Sequence, residues 1–435
     1  MLTYILVFLL SFVVALAFSM LPALHIYNLA AILVLLWAKF GSVNYLHLVP
    51  VIFITFVVVY AVASNIPSIF LGAPDESAVF LVLPAQKYLL LGRGYEALAV
   101  TLLGSLSALV VLVVLVPFLP KVVPPVMRVI APHLHWLLLL IVVYLLMSEW
   151  PKGTDRAPTK FGKFLDAWTN LFAGLFTFFA SGFLGIIVFS KTLVPVERSF
   201  QALMPVFGGL FAVPWILQNI VSRNEIPPQH IPESADLDAL SAGWGIFSGT
   251  LGGMFAATFP VVTGGIGGLL AGHATAQRDE RSFIISQGVS KFLYYVGGFL
   301  LLFVPGLYLT RGGLAWMVKP IIDPREVDFS LVLGTLLLAT GLSVLVSLLL
   351  ARGILKILER VNYRVVSWIT LGIIFLLVYL MTGPVGILLL LVSSAIGLVP
   401  VMFHSRRSNC LGVLFVPIIL SMSGYMGYVL SFLGL

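Results

Sequence analysis

The sequence predicts an all-α polytopic membrane protein made of two pseudo-symmetric halves, each carrying broken or re-entrant helical hairpins. Three observations lead there. The 435 residues are 60% hydrophobic and only 9% charged, against about 25% charged in soluble domains, and the mean hydropathy is +1.11. Apolar runs at 2–20, 45–63, 98–117, 283–304, 331–350 and 366–380 approach the ~20 residues that cross a bilayer. Proline, glycine and paired charges interrupt other apolar stretches, the texture of transporters with discontinuous helices. Outer-membrane barrels alternate polar and apolar residues and are excluded.

The chain opens "MLTYILVFLLSF", with no basic residue ahead of the apolar run, so the first helix is expected to be retained rather than cleaved. The stretch 19–36, "SMLPALHIYNLAAILVLL", breaks at Pro22 and continues as a short apolar run that begins near His25 and Asn28. The stretch 65–84, "NIPSIFLGAPDESAVFLVLP", holds three prolines and the adjacent acids Asp75 and Glu76. Proline removes a backbone donor and clashes with the preceding turn, so a hairpin of two short helices is expected here, not a crossing. Non-helical backbone at membrane depth survives only when buried in protein or lining a watery cavity. The two acids then sit at a helix start, where the dipole favours negative charge. They are either a cap, by Asp75 or Ser68, with Lys87 or Arg93 as partners, or the site of a coupling cation or proton.

Polar punctuation divides the remainder into roughly ten to twelve crossings by the length criterion. The loop with Lys152, Arg156, Lys160 and Lys163, and the one with Arg352, Lys356, Arg360 and Arg364, are expected to be cytoplasmic. The acidic, Pro-rich 225–238 loop is expected to face outward. In 245–277, "GIFSGTLGGMFAATFPVVTGGIGGLLAGHATAQ", a Gly-rich helix breaks near Pro260 and a second short Gly-rich run follows. This repeats the helix–break–short-helix texture of 19–36, and paired interruptions of that kind mark transporter binding sites. The plainer reading is that glycine and proline only permit close helix packing. Lys291, counted at helical rise from Arg281, lies roughly 14 Å along its helix, near the bilayer midplane. A cation there needs a buried acid such as Asp75 or Glu76, or an anionic substrate near 264–268. The expected organisation is 1–165 as an N-terminal half, 166–240 as connecting helices, and 241–435 as a C-terminal half.

Walker A, H-E-x-x-H and G-x-S-x-G motifs are missing from the sequence, so an ATPase, a zincin and a serine hydrolase lack their minimal parts. The single cysteine, Cys410, allows no internal disulfide. The net charge of +7 suits loops against an anionic leaflet, not nucleic acid. No cofactor is expected beyond Na⁺ or H⁺ as a coupling ion, and no metal site.

The stretch "SNIPSIFLGAPDESAVFLVLPAQKYLLLGRGYEAL" resembles the archaeal branch of the large membrane subunit of tripartite tricarboxylate transporters. "FSMLPALHIYNLAAI", "GIFSGTLGGMFAATFPVVTGGIGGLLAG", "SGFLGIIVFSKTLVPVERSFQALMPVFGGLFAVP" and "IGLVPVMFHSRRSNCLGVLFVPIIL" extend the resemblance over nearly the whole chain. The family's first Pro-Gly is Pro22–Ala23 here, and the second element keeps only Pro260. The resemblance implies a secondary permease in the cell membrane, working with a small membrane subunit and an extracytoplasmic binding protein. The expected substrate is a small organic anion such as a di- or tricarboxylate. Half-helix starts near Pro22–Asn28 and Pro260–Gly268 would bind its carboxylates. His25, Asn28, Asn65, Ser68, Thr258, Thr263, Gly264, Gly265 and Lys291 form the expected binding set, with Asp75 and Glu76 as the coupling-ion set. Three other readings stay open: a translocase for a polyprenyl-phosphate or other anionic lipid carrier, an intramembrane lipid enzyme using Asp75, Glu76 or His25, and a non-transporting scaffold subunit.

Overall fold

The computed structural model describes residues 1–435 apart from 23, 151–157, 195–201, 223–225 and 233–236. Ala23, Lys152, Arg156 and parts of the 191–199 and 225–238 loops therefore lie outside the described residues. Proline, glycine and polar caps cut the apolar chain into helices, and no strand occurs among the described residues. In order these are α1 (Leu2–Ser19), α2 (Ile26–Phe40), α3 (Val49–Ala63), α4 (Asn65–Phe70), α5 (Val79–Leu90), α6 (Gly94–Leu115) and α7 (Leu119–Ile130). There follow α8 (Leu134–Met147), α9 (Lys160–Ser190), α10 (Leu203–Phe207), α11 (Val213–Ser222), α12 (Ala239–Thr258), α13 (Gly264–Ala274) and α14 (Glu280–Phe292). The last are α15 (Gly298–Leu300), α16 (Gly312–Val318), α17 (Phe329–Leu358), α18 (Tyr363–Met402), α19 (Gly412–Met422) and α20 (Met426–Leu433). A π-helical turn, Leu293–Gly297, joins α14 to α15.

Among the described residues, seven helices are long and apolar enough to cross a membrane, or eight if the pair Arg407–Met422 and Met426–Leu433, bent by 113°, counts as one span. This is a polytopic helical membrane protein. That count takes the 54-residue stretch Gly94–Met147 and the 40-residue stretch Tyr363–Met402, broken at Gly383, as one span each, and on that basis it stays below the ten to twelve expected from polar punctuation. Part of the reason is that α2 and α5 are apolar but short, at 15 and 12 residues. The two breaks fall where proline and glycine put them. α1 stops at Ser19, and α2 restarts with His25 as its N-cap. α12 stops at Thr258, and α13 restarts with Thr263 as its N-cap. Inside the second break Val261 has φ 70°, a left-handed conformation that costs a β-branched residue.

The 65–84 stretch folds back on itself, with α4 against α5, but its arms differ from expectation. The first arm is the end of a 27-residue helical stretch, Asn44–Phe70. Gly72, at φ 63°, turns the chain, and α5 carries Pro84 in its interior and runs on to Leu90. Arg352 and Lys356 also differ from expectation: they lie on the last turns of α17, not in a loop.

The chain forms two compact units, Met1–Pro125 with Ile216–Ile374, and Val126–Trp215 with Phe375–Leu435. They interleave along the chain, whereas the expected division 1–165, 166–240 and 241–435 runs in sequence order. In the first unit α12, α13, α14 and α6 pack tightly, as do α3 and α17. Glycine allows this: a Cβ on Gly104 would strike the Ile285 carbonyl, one on Gly288 the Thr101 carbonyl, and one on Gly252 the backbone of Gly267. Close backbone approach through small residues is a main source of helix association in bilayers.

In the second unit α9 packs on α19. There Glu149, just past α8, is buried. Its Oε1 accepts the Arg406 backbone N–H at 2.6 Å and the Asn409 side-chain amide at 3.1 Å. Gly174 makes room, because a Cβ there would lie 2.8 Å from Asn409 Nδ2 and 3.1 Å from Glu149 Cγ. The Arg407 guanidinium stacks 3.5 Å from the centre of the Trp215 ring.

Candidate functional site

The first unit buries a cluster of ionisable side chains, and the hairpin turn supplies its centre. Pro74 and Asp75 precede α5, and Asp75 Oδ1 accepts the backbone N–H groups of Ser77 (3.0 Å) and Ala78 (2.8 Å). The acid thus fastens the turn ahead of α5, and α5 itself starts without a side-chain cap. The other Asp75 oxygen, Oδ2, accepts the hydroxyls of Tyr60 (3.1 Å) and Tyr295 (3.2 Å) and lies 3.3 Å from the Lys291 ammonium. One carboxylate thus divides its oxygens between that turn and an ion pair. The anticipated partners are engaged elsewhere: Lys87 pairs with Glu280 at 2.5 Å, and Arg93 with Glu96 at 2.7 Å.

Lys291 points inward and is 1% exposed. Besides Asp75, it donates to Ser64 Oγ at 2.9 Å and Asn65 Oδ1 at 3.2 Å. Gly264 lies against its main chain, where a Cβ would come within 2.8 Å of the Lys291 Cα. Such a cation persists in a buried site only when paired and hydrogen-bonded.

Glu76, 2% exposed, faces the first break. Its Oε1 lies 2.9 Å from His25 Nε2 and 3.1 Å from the Tyr295 hydroxyl, while Oε2 has no hydrogen-bond partner. Its backbone carbonyl accepts the Thr263 hydroxyl at 3.2 Å. His25 Nδ1 accepts the Tyr27 backbone N–H at 3.2 Å, capping α2. That bond assigns the tautomer: with Nδ1 accepting, neutral His25 carries its proton on Nε2 and donates it toward Glu76. The starts of α2 and α13 are therefore capped by His25 and Thr263, both of which touch Glu76, and Asp75 holds the turn that leads into α5.

Tyr295 sits on the π-helical turn, a feature common at functional sites. Its hydroxyl lies within hydrogen-bond distance of Asp75, Glu76, His25 (3.1 Å) and Ser77 (3.2 Å). A phenol has one proton to give, so the two carboxylates compete for it.

The expected binding residues distribute unevenly. His25, Asn65, Thr263, Gly264 and Lys291 belong to the cluster, and Gly265 adjoins it, with a Cβ there 2.7 Å from the Ser77 carbonyl. Asn28 is buried one turn into α2. Ser68 and Thr258 instead return their hydroxyls to their own helices, at Ser64 O (2.8 Å) and Met254 O (2.9 Å). Tyr60, Ser64, Ser77 and Tyr295 were not among the expected residues. The available signal was spacing: Tyr295 follows Lys291 by four residues and Ser64 follows Tyr60 by four, so each pair shares a helix face. Among the described residues no three His, Cys, Asp or Glu side chains gather to hold a metal ion.

Broken helices around a buried, charged cluster are what a permease needs, and comparison with known proteins agrees. The model of the tripartite tricarboxylate transporter TctA family matches residues 5–412. The chain belongs to that family. An uncharacterised protein of Methanocaldococcus jannaschii is 24% identical over 409 residues, covering 92% of this chain and 94% of its own length. No solved structure matches. As a member of the TctA family, the chain is a multi-pass membrane protein of a transporter family whose members work with other subunits.

Proposed function

We propose that this TctA-family chain is a secondary permease for a small organic anion of the di- or tricarboxylate class, driven by a Na⁺ or H⁺ gradient. The observation that carries this reading is the meeting, at one buried cluster, of two capped helix starts and the turn ahead of α5: His25 caps α2, Thr263 caps α13, and Asp75 holds the Ser77 and Ala78 N–H groups. Helix N-termini present backbone N–H groups and a positive dipole end, and they favour carboxylates by ~0.3–2 kcal/mol each. His25, Asn28, Asn65, Thr263, Gly264, Gly265 and Lys291 form the proposed substrate contacts, with Asp75 and Glu76 proposed for coupling. The segments 19–36 and 245–277 are proposed as equivalent elements of two pseudo-symmetric halves. Their shared helix–break–short-helix form and their common contact with Glu76 support this. A small membrane subunit and an extracytoplasmic binding protein are the proposed partners.

Two measurements on the purified chain test this reading. One is thermal stabilisation by citrate, succinate and a polyprenyl phosphate. The other is uptake of labelled citrate or succinate into proteoliposomes under imposed Na⁺ or H⁺ gradients. Stabilisation and uptake with a carboxylate are expected. Stabilisation by the lipid phosphate alone would replace the reading with a lipid-carrier translocase.

A further inference from the structure

The two adjacent acids of the hairpin are not equivalent, and the difference identifies a proton site. Asp75 is fully engaged: one oxygen holds the turn ahead of α5, and the other meets Lys291 and two phenols. Glu76 has one oxygen between His25 and Tyr295 and the other, buried, with no partner. The charged and titratable groups around the Glu76 carboxylate come from every packed element. They are His25 ahead of α2, Tyr60 on α3, Asp75 on its own segment, and Lys291 and Tyr295 on α14 and its π-helical turn; Tyr27 on α2 and Tyr294 lie in the next layer. With His25 Nδ1 accepting the Tyr27 N–H, the two carboxylates have one ammonium between them, that of Lys291, 3.3 Å from Asp75, and one negative charge is left over beside the starts of α2 and α13. A second anion entering beside an ionised Glu76 is disfavoured by like-charge repulsion at low dielectric.

We propose that Glu76 is the proton-binding group of the permease, and that a carboxylate substrate binds together with a proton taken up on the Glu76 carboxylate. This rests on the anion-permease reading above and assigns its coupling ion. In the empty site, ionised Glu76 fills the anion-favouring place itself, as a tethered carboxylate. A proton placed on the carboxylate keeps His25 Nδ1 as the acceptor of the Tyr27 N–H that caps α2, a bond that a second proton on His25 would break. No bond other than the new O–H forms or breaks. The neutral acid leaves Asp75 and Lys291 balanced, and the substrate carboxylate then enters beside His25, the cap of α2. On the opposite side of the membrane the substrate leaves, Glu76 ionises, and the proton departs with it.

Two experiments test this independently. Infrared difference spectra of the wild-type chain, taken from alkaline to mildly acidic buffer without substrate, should show the carbonyl band of a protonated buried carboxylic acid. The band should be lost in Glu76→Gln and kept in Asp75→Asn. A missing band, or one lost only in Asp75→Asn, overturns the proposal whatever the substrate proves to be. Citrate binding measured calorimetrically in two buffers of different ionisation enthalpy should reveal net proton uptake by the wild type, and none by Glu76→Gln, whose binding becomes independent of pH. Citrate binding without proton uptake, or accumulation that follows only a Na⁺ gradient and persists in Glu76→Gln, overturns the proton assignment and leaves the anion reading standing. Failure of every carboxylate to bind removes the anion reading, while the infrared result still decides the proton site.

Discussion

Both units bury a glutamate, and they treat it in opposite ways. Glu149 in the second unit is served by a backbone N–H and a side-chain amide, donors whose protons stay in place at any physiological pH. It fastens the end of α8 to the 406–409 segment. Glu76 in the first unit is served by an imidazole and a phenol, each with one proton and more than one acceptor in reach, and one of its oxygens has no donor. A buried carboxylate surrounded by fixed donors is a fastening. One surrounded by titratable donors with spare capacity is poised to change state.

The largest way to break that contrast lies at Lys291. Lys291→Met leaves Asp75 charged and without its cation, and removing one partner of a buried pair costs about 3–5 kcal/mol. Thermal unfolding in detergent should show that loss. Adding Asp75→Asn, which keeps the oxygen that holds the turn, should recover part of it; additive losses would mean that the pair is not coupled. Glu149→Ala comes next. It strands the Arg406 N–H and the Asn409 amide, at about 1–3 kcal/mol for an unsatisfied buried group, and carboxylate uptake by the folded fraction should keep its pH profile. A changed profile would erase the distinction between the two glutamates. Gly264→Ala should cost a similar ~1–3 kcal/mol, since the added methyl meets Lys291 main chain instead of a movable side-chain tip, and it should weaken citrate binding in calorimetry. The smallest effects belong to Ser68→Ala and Thr258→Val. Their hydroxyls only double-bond carbonyls already within a helix, so stability should stay within about 0.5 kcal/mol and the uptake KM should not move.

Much of this was legible in the residues. Pro22, Pro260 and the Gly72–Asp75 turn mark breaks that the structure has, although proline alone does not decide one, since α5 carries Pro84 and α19 carries Pro417 in their interiors. Lys291 could be assigned to the interior by counting helical rise. What stayed hidden is long-range pairing. Sequence proximity pointed Asp75 toward Lys87 and Arg93, yet those cations find exposed or nearby acids, and the buried partner comes from a helix far along the chain. Tyr60 and Tyr295 stand in apolar runs, where a tyrosine reads as core until its hydroxyl partner is known. Ser68 and Thr258 illustrate a different ambiguity: a hydroxyl within a helix can face a ligand or return to its own backbone, and composition does not distinguish the two. The interleaving of the units was equally invisible, because compactness depends on contacts and not on order.

The separation between Asp75 and Tyr295, 220 residues, also bears on how the chain is made. At about 5–20 residues per second, the acidic hairpin leaves the ribosome roughly 10–40 s before the lysine and tyrosine that neutralise it. During that interval two carboxylates have no cation to meet within a bilayer. A hairpin that entered the bilayer in that interval would lack the ammonium that neutralises it in the folded chain, which favours entry after α14 has been synthesised. Nascent chains carrying Ala78→Cys, arrested before and after residue 291, would differ in whether a thiol-specific label reaches position 78 from water.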